Sequence, residues 1–252
     1  MPEPVVTLAA EAKLTLSLRV VGVRDDGYHL IDAEMVSLDL ADTLTFAPGD
    51  GLEVVAAATG LEVPAGDDNL VRRALTLVGR TARVRLEKRI PAGGGLGGGS
   101  ADAAAVLRWA GVDDPDLAAL LGADVPFCLR GGRARVTGIG ERLDPLPARP
   151  APYTLVVPPF GCATPAVYRA WDEMGGPTAE GPNDLEPAAL RVEPRLAAWR
   201  DRLGEATGAT PVLAGSGSTW FVPGAFPGPD RLVVTATAGV DQPVLPSHPD
   251  PS

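Results

Sequence analysis

The chain is poor in the residues from which metal centres and hydrolases are most often built. Among 252 residues there are two histidines, His29 and His248, and two cysteines, Cys128 and Cys162. Two cysteines so far apart make neither a disulfide framework nor a zinc site. With His248 in a proline-rich stretch and no Gly-x-Ser-x-Gly elbow, the sequence argues against a histidine-dependent triad or a His-based metal centre. No apolar run approaches the ~18–20 residues of a membrane span. The start, MPEPVVTLAAEAK, has no basic region ahead of an apolar stretch, so a cytoplasmic protein without a signal peptide is expected. Positive charge is scarce too: the net charge of −10 argues against nucleic acid as a partner. An anionic ligand would have to be held by local dipoles and a few placed cations. Lysine occurs only at positions 13 and 88, which makes each worth separate attention.

What is present reads as alternating strands and helices. LTLSLRVVGV (14–23) alternates apolar and polar residues as a half-buried strand does, RDDGYHL is a turn signal, and AEMVSLDLADTLTFAP and GLEVVAAATG are further strands. DDNLVRRALTLVGR carries a helical stripe of Leu70, Ala74, Leu75 and Val78, with Asp67 or Asp68 as its expected cap. ARVRLEKRI (82–90) puts Ala82, Val84, Leu86 and Ile90 on one side and charge on the other, a strand with one wet face. A helix from about Ser100 to Ala110 follows and ends at Gly111. DPDLAALLGADVPF reads as a short helix and turn, GRARVTGIGERL as a strand pair. The Pro-dense DPLPARPAP (144–152) is the candidate linker. Beyond it come a strand in YTLVVPP, a helix in TPAVYRAWDEM, another marked by Leu196, Trp199 and Leu203, and strands in TPVLAGSGSTWFV and RLVVTATAG. Two domains are therefore expected, 1–145 and 146–240, with a disordered Pro-rich tail at 241–252.

The most informative stretch is RIPAGGGLGGGSADAAAVL (89–107), with six glycines in the seven positions 93–99. Gly is costly to order, so such a cluster has a local use. Bare backbone at the mouth of a helix lets amide N–H groups converge on phosphate oxygens. A Walker-type loop would place Lys before Ser or Thr, and here Gly99 runs straight into Ser100. Gly93, Gly95 and Gly98 satisfy Gly-x-Gly-x-x-Gly, but a dinucleotide fold wants a buried parallel strand before them, and ARVRLEKRI has a wet face. The His-Arg-Asp and Asp-Phe-Gly signatures of protein kinases are absent. A flexible linker between a strand and a well-formed helix is the bland alternative.

PAGGGLGGGSADAA resembles the phosphate loop of the GHMP kinases, which phosphorylate small-molecule alcohols with ATP. AKLTLSLRVVGVRDDGYHLIDAEMVSLDLAD, LGADVPFCLRGGRARVTGIGERL and LAGSGSTWFV resemble further segments of that superfamily. With GYH and GADVPF they narrow the likeness to the kinases of 4-diphosphocytidyl-2-C-methyl-D-erythritol, of the non-mevalonate isoprenoid pathway. DDNLVRRA, TPAVYRAW and GPNDLEP match more weakly. The resemblance implies an α/β (α+β, two-layer) protein of two domains with mixed and antiparallel sheets, and an active site in the cleft between them. It implies ATP as co-substrate with Mg²⁺, the phosphates lying on Gly93, Gly94, Gly95, Leu96, Gly97, Gly98, Gly99 and Ser100, and Ser100 as a Mg²⁺ ligand. Asp124 falls at the general-base position and Lys13 at its partner. Tyr28, His29, Thr15, Tyr168, Gly215, Ser216 and Gly217 are the implied substrate-binding residues, with a cytidine diphosphate conjugate as the alcohol. The partners would be these small molecules, without nucleic acid or membrane, in a monomer or homodimer.

Each assignment has a plain structural alternative. Asp124 could cap a turn, Lys13 could sit on a solvated strand edge, and Tyr28, His29 and Tyr168 could serve packing and turns. Two positions depart from the family pattern: Thr15 replaces an asparagine, and Glu11 stands where proline is usual. A different small alcohol, sugar or homoserine-like, and a catalytically inactive nucleotide-binding homologue are the competing readings.

Overall fold

The computed structural model describes residues 4–55 and 63–239; the tail expected at 241–252 lies outside them. Its first half is a mixed sheet faced by helices. Strands β1 (Val6–Val23) and β2 (His29–Ala47) form a long antiparallel hairpin, followed by β3 (Gly51–Val55) and β4 (Arg83–Glu87). Later come β5 (Arg133–Gly138) and β6 (Arg142–Pro145), and the sheet order is β3-β4-β2-β5-β6 with β1 paired to β2. β4 runs antiparallel to β2 and parallel to β3. The second half has its own antiparallel sheet, ordered β10-β7-β9-β8, from β7 (Pro152–Val156), β8 (Val212–Leu213), β9 (Trp220–Pro223) and β10 (Leu232–Thr235).

Among the described residues seven helices cover these sheets: α1 (Leu70–Leu77), α2 (Gly98–Trp109), α3 (Pro115–Ala119), α4 (Val125–Arg130), α5 (Thr164–Glu173), α6 (Glu186–Val192) and α7 (Leu196–Thr207). α1 starts later than its acidic residues suggest. Asn69 is the cap, its Oδ1 accepting from the Val71 N–H at 2.9 Å, because the apolar stripe begins at Leu70 and the cap belongs one residue ahead of it. α2 is buried on all sides from Ala101 to Arg108. Its alanines let β1, α1 and α4 pack close around it, so the helix behind the glycine loop is the rigid centre of the first half. Gly111, at φ 76°, ends it as a left-handed residue does. α6 was not legible as a helix; it carries Pro187 in its first turn and spans only two turns.

The two halves are stitched directly. Leu18 bridges Asn183, Leu38 bridges Ala236, and the Thr237 N–H donates to the Ser37 carbonyl at 2.9 Å. Glu11, the departure from proline, takes part: its Oε2 accepts from the Thr237 hydroxyl at 2.8 Å, anchoring the segment that follows β10.

Candidate active site

A cavity of about 760 Å³ opens between the halves. The glycine loop forms one wall. The N–H groups of Gly98, Gly99 and Ser100 precede the first intrahelical bond, which Ala101 donates to the Gly97 carbonyl at 2.8 Å, and no side chain among the described residues caps them. A helix end with unpaired donors and a positive dipole is an anion site in waiting. Gly93, Gly95, Gly97, Gly98, Gly99 and Ser100 all line the cavity. Gly94 and Leu96 do not: Gly94 is packed against Thr219 and Val157, and the Leu96 side chain is 1% exposed in the core. Those two residues can offer a ligand only backbone.

The glycines are required by packing as much as by any ligand. Gly97 sits at φ 70°, and a Cβ there would lie 2.8 Å from the Lys13 Cγ. A Cβ on Gly95, at φ 77°, would overlap the Gly217 carbonyl oxygen. The loop is thus pressed between β1 and the turn at 214–218. Gly215 and Ser216 of that turn line the cavity, while Gly217 lies behind it against Gly95.

Opposite the helix end, Lys13 Nζ stands 3.3 Å from Asp124 Oδ2 and donates to Thr15 Oγ1 at 3.2 Å. Lys13 is only 6% exposed and Thr15 1%. The polar face of β1 therefore looks into the cleft and not into bulk water. Register shifts between Glu11 and Lys13 and between Thr15 and Ser17 bracket this stretch and re-aim its side chains, as bulges do. Asp124 precedes α4 but makes no side-chain cap hydrogen bond; its carboxylate points to Lys13. Thr15, in place of an amide, serves the lysine as an acceptor.

The far end of the cavity is aromatic. His29 stacks at a tilt on Tyr168, ring centroids 4.6 Å apart, and meets Trp171 edge-on at 5.6 Å. Its Nε2 is 2.8 Å from Asp172 Oδ1. Burial, seconded by the nearby Asp124 charge, pushes the Tyr168 hydroxyl up to about 12, so it stays a neutral donor. Tyr28 is 58% exposed at the rim. Arg169 and Asp172 also line the cavity. Sequence reasoning overlooked both, although they flank Tyr168 and Trp171 on α5.

It overlooked a larger feature under the loop. Lys88, placed among the charges of a wet face, is 7% exposed. Its ammonium bonds both Asp42 and Asp102, the latter at 2.8 Å. Asp42 also accepts the Ile90 N–H at 2.8 Å, while Asp102 Oδ1 has no partner among the described residues. One ammonium faces two carboxylates here. Asp42 has the fuller donor set; burial, opposed by Lys88, pushes the Asp102 carboxyl up to about 7. The signal was available, since period two puts Lys88 on the same side as Val84 and Leu86. A smaller cavity of about 250 Å³, lined by Asn69, Leu70, Lys88, Pro91 and Asp102, adjoins the back of the loop.

Among the described residues no group of three or more His, Cys, Asp or Glu is arranged to hold a metal ion. The Ser100 hydroxyl lines the cavity in the first turn of α2 without a side-chain partner among the described residues. That suits Mg²⁺, which takes few protein ligands and completes its shell with phosphate oxygens and water.

A helix end with open amides across from a lysine–carboxylate pair is the layout of a small-molecule kinase, and residues 69–132 match the GHMP kinases N terminal domain. The similarity continues through both halves. The chain is 43% identical to the 4-diphosphocytidyl-2-C-methyl-D-erythritol kinase of Paracoccus denitrificans, over 84% of this chain and 85% of that protein. It is 39% identical to the kinase of the same name from Pelotomaculum thermopropionicum, over 86% and 88%. A crystal structure of 4-(cytidine 5'-diphospho)-2C-methyl-D-erythritol kinase superposes with a TM-score of 0.74 at 35% identity, covering 93% of this chain and all of that one. The chain belongs to the 4-diphosphocytidyl-2-C-methyl-D-erythritol kinase family.

Proposed function

We propose that the chain transfers the γ-phosphoryl group of ATP to the free hydroxyl of 4-diphosphocytidyl-2-C-methyl-D-erythritol, with Asp124 as general base. The observation that carries this reading is the position of the Lys13–Asp124 pair, 3.3 Å apart, in the same cavity as the open end of α2. An alcohol is too weak an acid to attack phosphorus unaided. A carboxylate, ionised at neutral pH in its ordinary state, accepts the hydroxyl proton as the oxygen–phosphorus bond forms. The bond from the γ-phosphorus to the β–γ bridging oxygen breaks, and ADP leaves with the electron pair. The Lys13 ammonium holds Asp124 in place and stabilises negative charge on the transferring group. Gly98, Gly99 and Ser100 bind the triphosphate through their N–H groups.

The nucleoside of ATP fits the smaller cavity behind the loop, since the larger one is needed on the Asp124 side for the alcohol. There His29, fixed by Asp172, and the rings of Tyr28 and Tyr168 offer stacking surface and a polar edge to a pyrimidine. Arg169 offers a cation for the substrate diphosphate. Ser100 would hold Mg²⁺, which when bound neutralises phosphate charge. No described helix is long and apolar enough to cross a membrane.

The test is ADP release from ATP and Mg²⁺ across a panel of alcohols. Turnover of the cytidyl alcohol, with sugars and homoserine inert, supports the reading. Turnover of another alcohol alone, or nucleotide binding without turnover, overturns it.

A further inference from the structure

The segment 182–185 joins the two halves and has no place in the chemistry above. It runs beside β1: the Leu18 N–H donates to the Pro182 carbonyl and the Asp184 N–H to the Leu18 carbonyl, both at 2.9 Å. Its two polar side chains face different ways. Asp184 binds the strand and its own loop, accepting from Arg19 Nη1 at 2.7 Å, Val20 N–H at 3.0 Å and Ala179 N–H at 2.9 Å. Asn183, 1% exposed, reaches the other way. Its Nδ2 donates to the Leu213 carbonyl at 2.8 Å and the Gly215 carbonyl at 2.7 Å, and its Oδ1 accepts the Leu185 N–H at 2.9 Å. Every polar atom of its side chain is used, and two of three bonds fix one turn.

That turn is poised for a ligand. Gly215 is buried and left-handed, at φ 62°, a conformation that turns successive N–H groups to one side. The Gly217 N–H closes the turn on the Ala214 carbonyl at 3.1 Å. The N–H groups of Gly215 and Ser216 have no protein acceptor among the described residues, and both residues line the cavity. Buried backbone donors are rarely left unpaired. A Cβ on Gly215 would lie 4.0 Å from Lys13 Nζ, so these donors stand beside the ammonium that faces Asp124. The Ser216 hydroxyl is tied to the Thr164 hydroxyl at 2.8 Å, which holds the turn from its other side.

We propose that Asn183 is a positioning residue: it holds the Gly215–Ser216 turn as a second anion-binding site, across the cleft from the α2 N-terminus, for oxygens of the transferring phosphoryl group. The inference rests on the kinase reading and adds a residue that touches neither substrate. Without Asn183 the turn would keep its sequence but lose its fixed distance to Lys13. A misplacement of about 1 Å near the reacting atoms can cost on the order of 10²-fold.

The experiment compares Asn183→Ala and Asn183→Ser with Asp184→Ala, an equally buried neighbour whose bonds avoid the turn. With ATP and the cytidyl alcohol, kcat should fall by about 30-fold in Asn183→Ala and by less in Asn183→Ser. The KM for ATP should move by no more than about threefold. Asp184→Ala should lose melting temperature while keeping most of its kcat. In the wild-type protein, amide exchange in the 213–217 segment should slow when ADP, Mg²⁺ and aluminium fluoride are added together, but not with ADP and Mg²⁺ alone. Equal kcat losses in the 183 and 184 variants, tracking their melting temperatures, would overturn the proposal, as would unchanged exchange in the wild type. A wild-type protein without ADP release would count against the kinase reading instead, and the exchange comparison would still decide whether the turn binds a phosphoryl mimic.

Discussion

The two lysines stand on opposite sides of the glycine loop, and their surroundings differ in one respect that matters. Both are nearly buried, at 6% and 7% exposure, and both face carboxylate. Lys13 meets Asp124, whose side chain is 34% exposed to the cleft. Lys88 is closed in between Asp42 and Asp102, at 0% and 3%. A pair open to a cavity can exchange a proton with a ligand and be neutralised by one. Lys88 and Asp102 border the smaller cavity, but the ammonium is already paired to two carboxylates, and these charges hold the strand entering the loop to the helix leaving it. Similar ion chemistry thus yields a reactive wall above the loop and a structural floor beneath it.

Substitutions can break or sharpen this contrast. The largest effect is expected on the open side. Asp124→Asn removes the proposed proton acceptor and should lower kcat by about 10²–10⁴-fold, with ATP affinity, read by calorimetry, close to wild type. Lys13→Met keeps the buried stem and removes the charge. Its kcat should fall by about 10²-fold, and steady-state ADP release checks it. Next comes the loop between the two lysines. Gly95→Ala drives a methyl into the Gly217 carbonyl at a positive φ, so ATP binding should weaken by about 10-fold or more, measurable by titration with a fluorescent ATP analogue.

The smallest effect belongs to the floor and takes its sign from Asp102. Its folded pKa, about 7, lies above the ordinary carboxylate value of about 3.9. Between those values the folded state holds a proton that the unfolded state does not. This group's contribution to stability therefore declines as pH rises through that window and is flat above it. Asp102→Asn removes the slope. The variant should gain on wild type by about 1–2 kcal/mol, or about 2–6 °C in melting temperature, between pH 6 and pH 8. A constant difference across that range would remove the buried proton from the account.

Much of this arrangement was legible in the sequence because it is local. Alternation found β1, β2 and β4, and the glycine run before an alanine-rich stretch announced a helix end with open amides. From its own residues Asp124 was legible only as an aspartate before Val-Pro, and the family resemblance alone set it at the general-base position with Lys13 as partner. Whether it capped a turn or faced a lysine depended on β1, which packs against α4 from more than a hundred residues away. The same holds for Lys13: periodicity assigned it a polar face, and only the second half of the chain turns that face into a cleft. The links missed altogether, Lys88 to Asp42, His29 to Asp172 and Asn183 to Gly215, join residues 46, 143 and 32 positions apart. No local pattern marks such pairs. Lys88 is the exception, since strand parity placed it inward and its charge argued it outward.

The most direct test of the account is a crystal structure of the protein with a non-hydrolysable ATP analogue, Mg²⁺ and the cytidyl alcohol. The account predicts the γ-phosphate within hydrogen-bond reach of the Gly98–Ser100 amides and the substrate hydroxyl against the Asp124 carboxylate, with the pyrimidine beside His29. A triphosphate bound away from the loop, or an alcohol whose hydroxyl turns from Asp124, would contradict it.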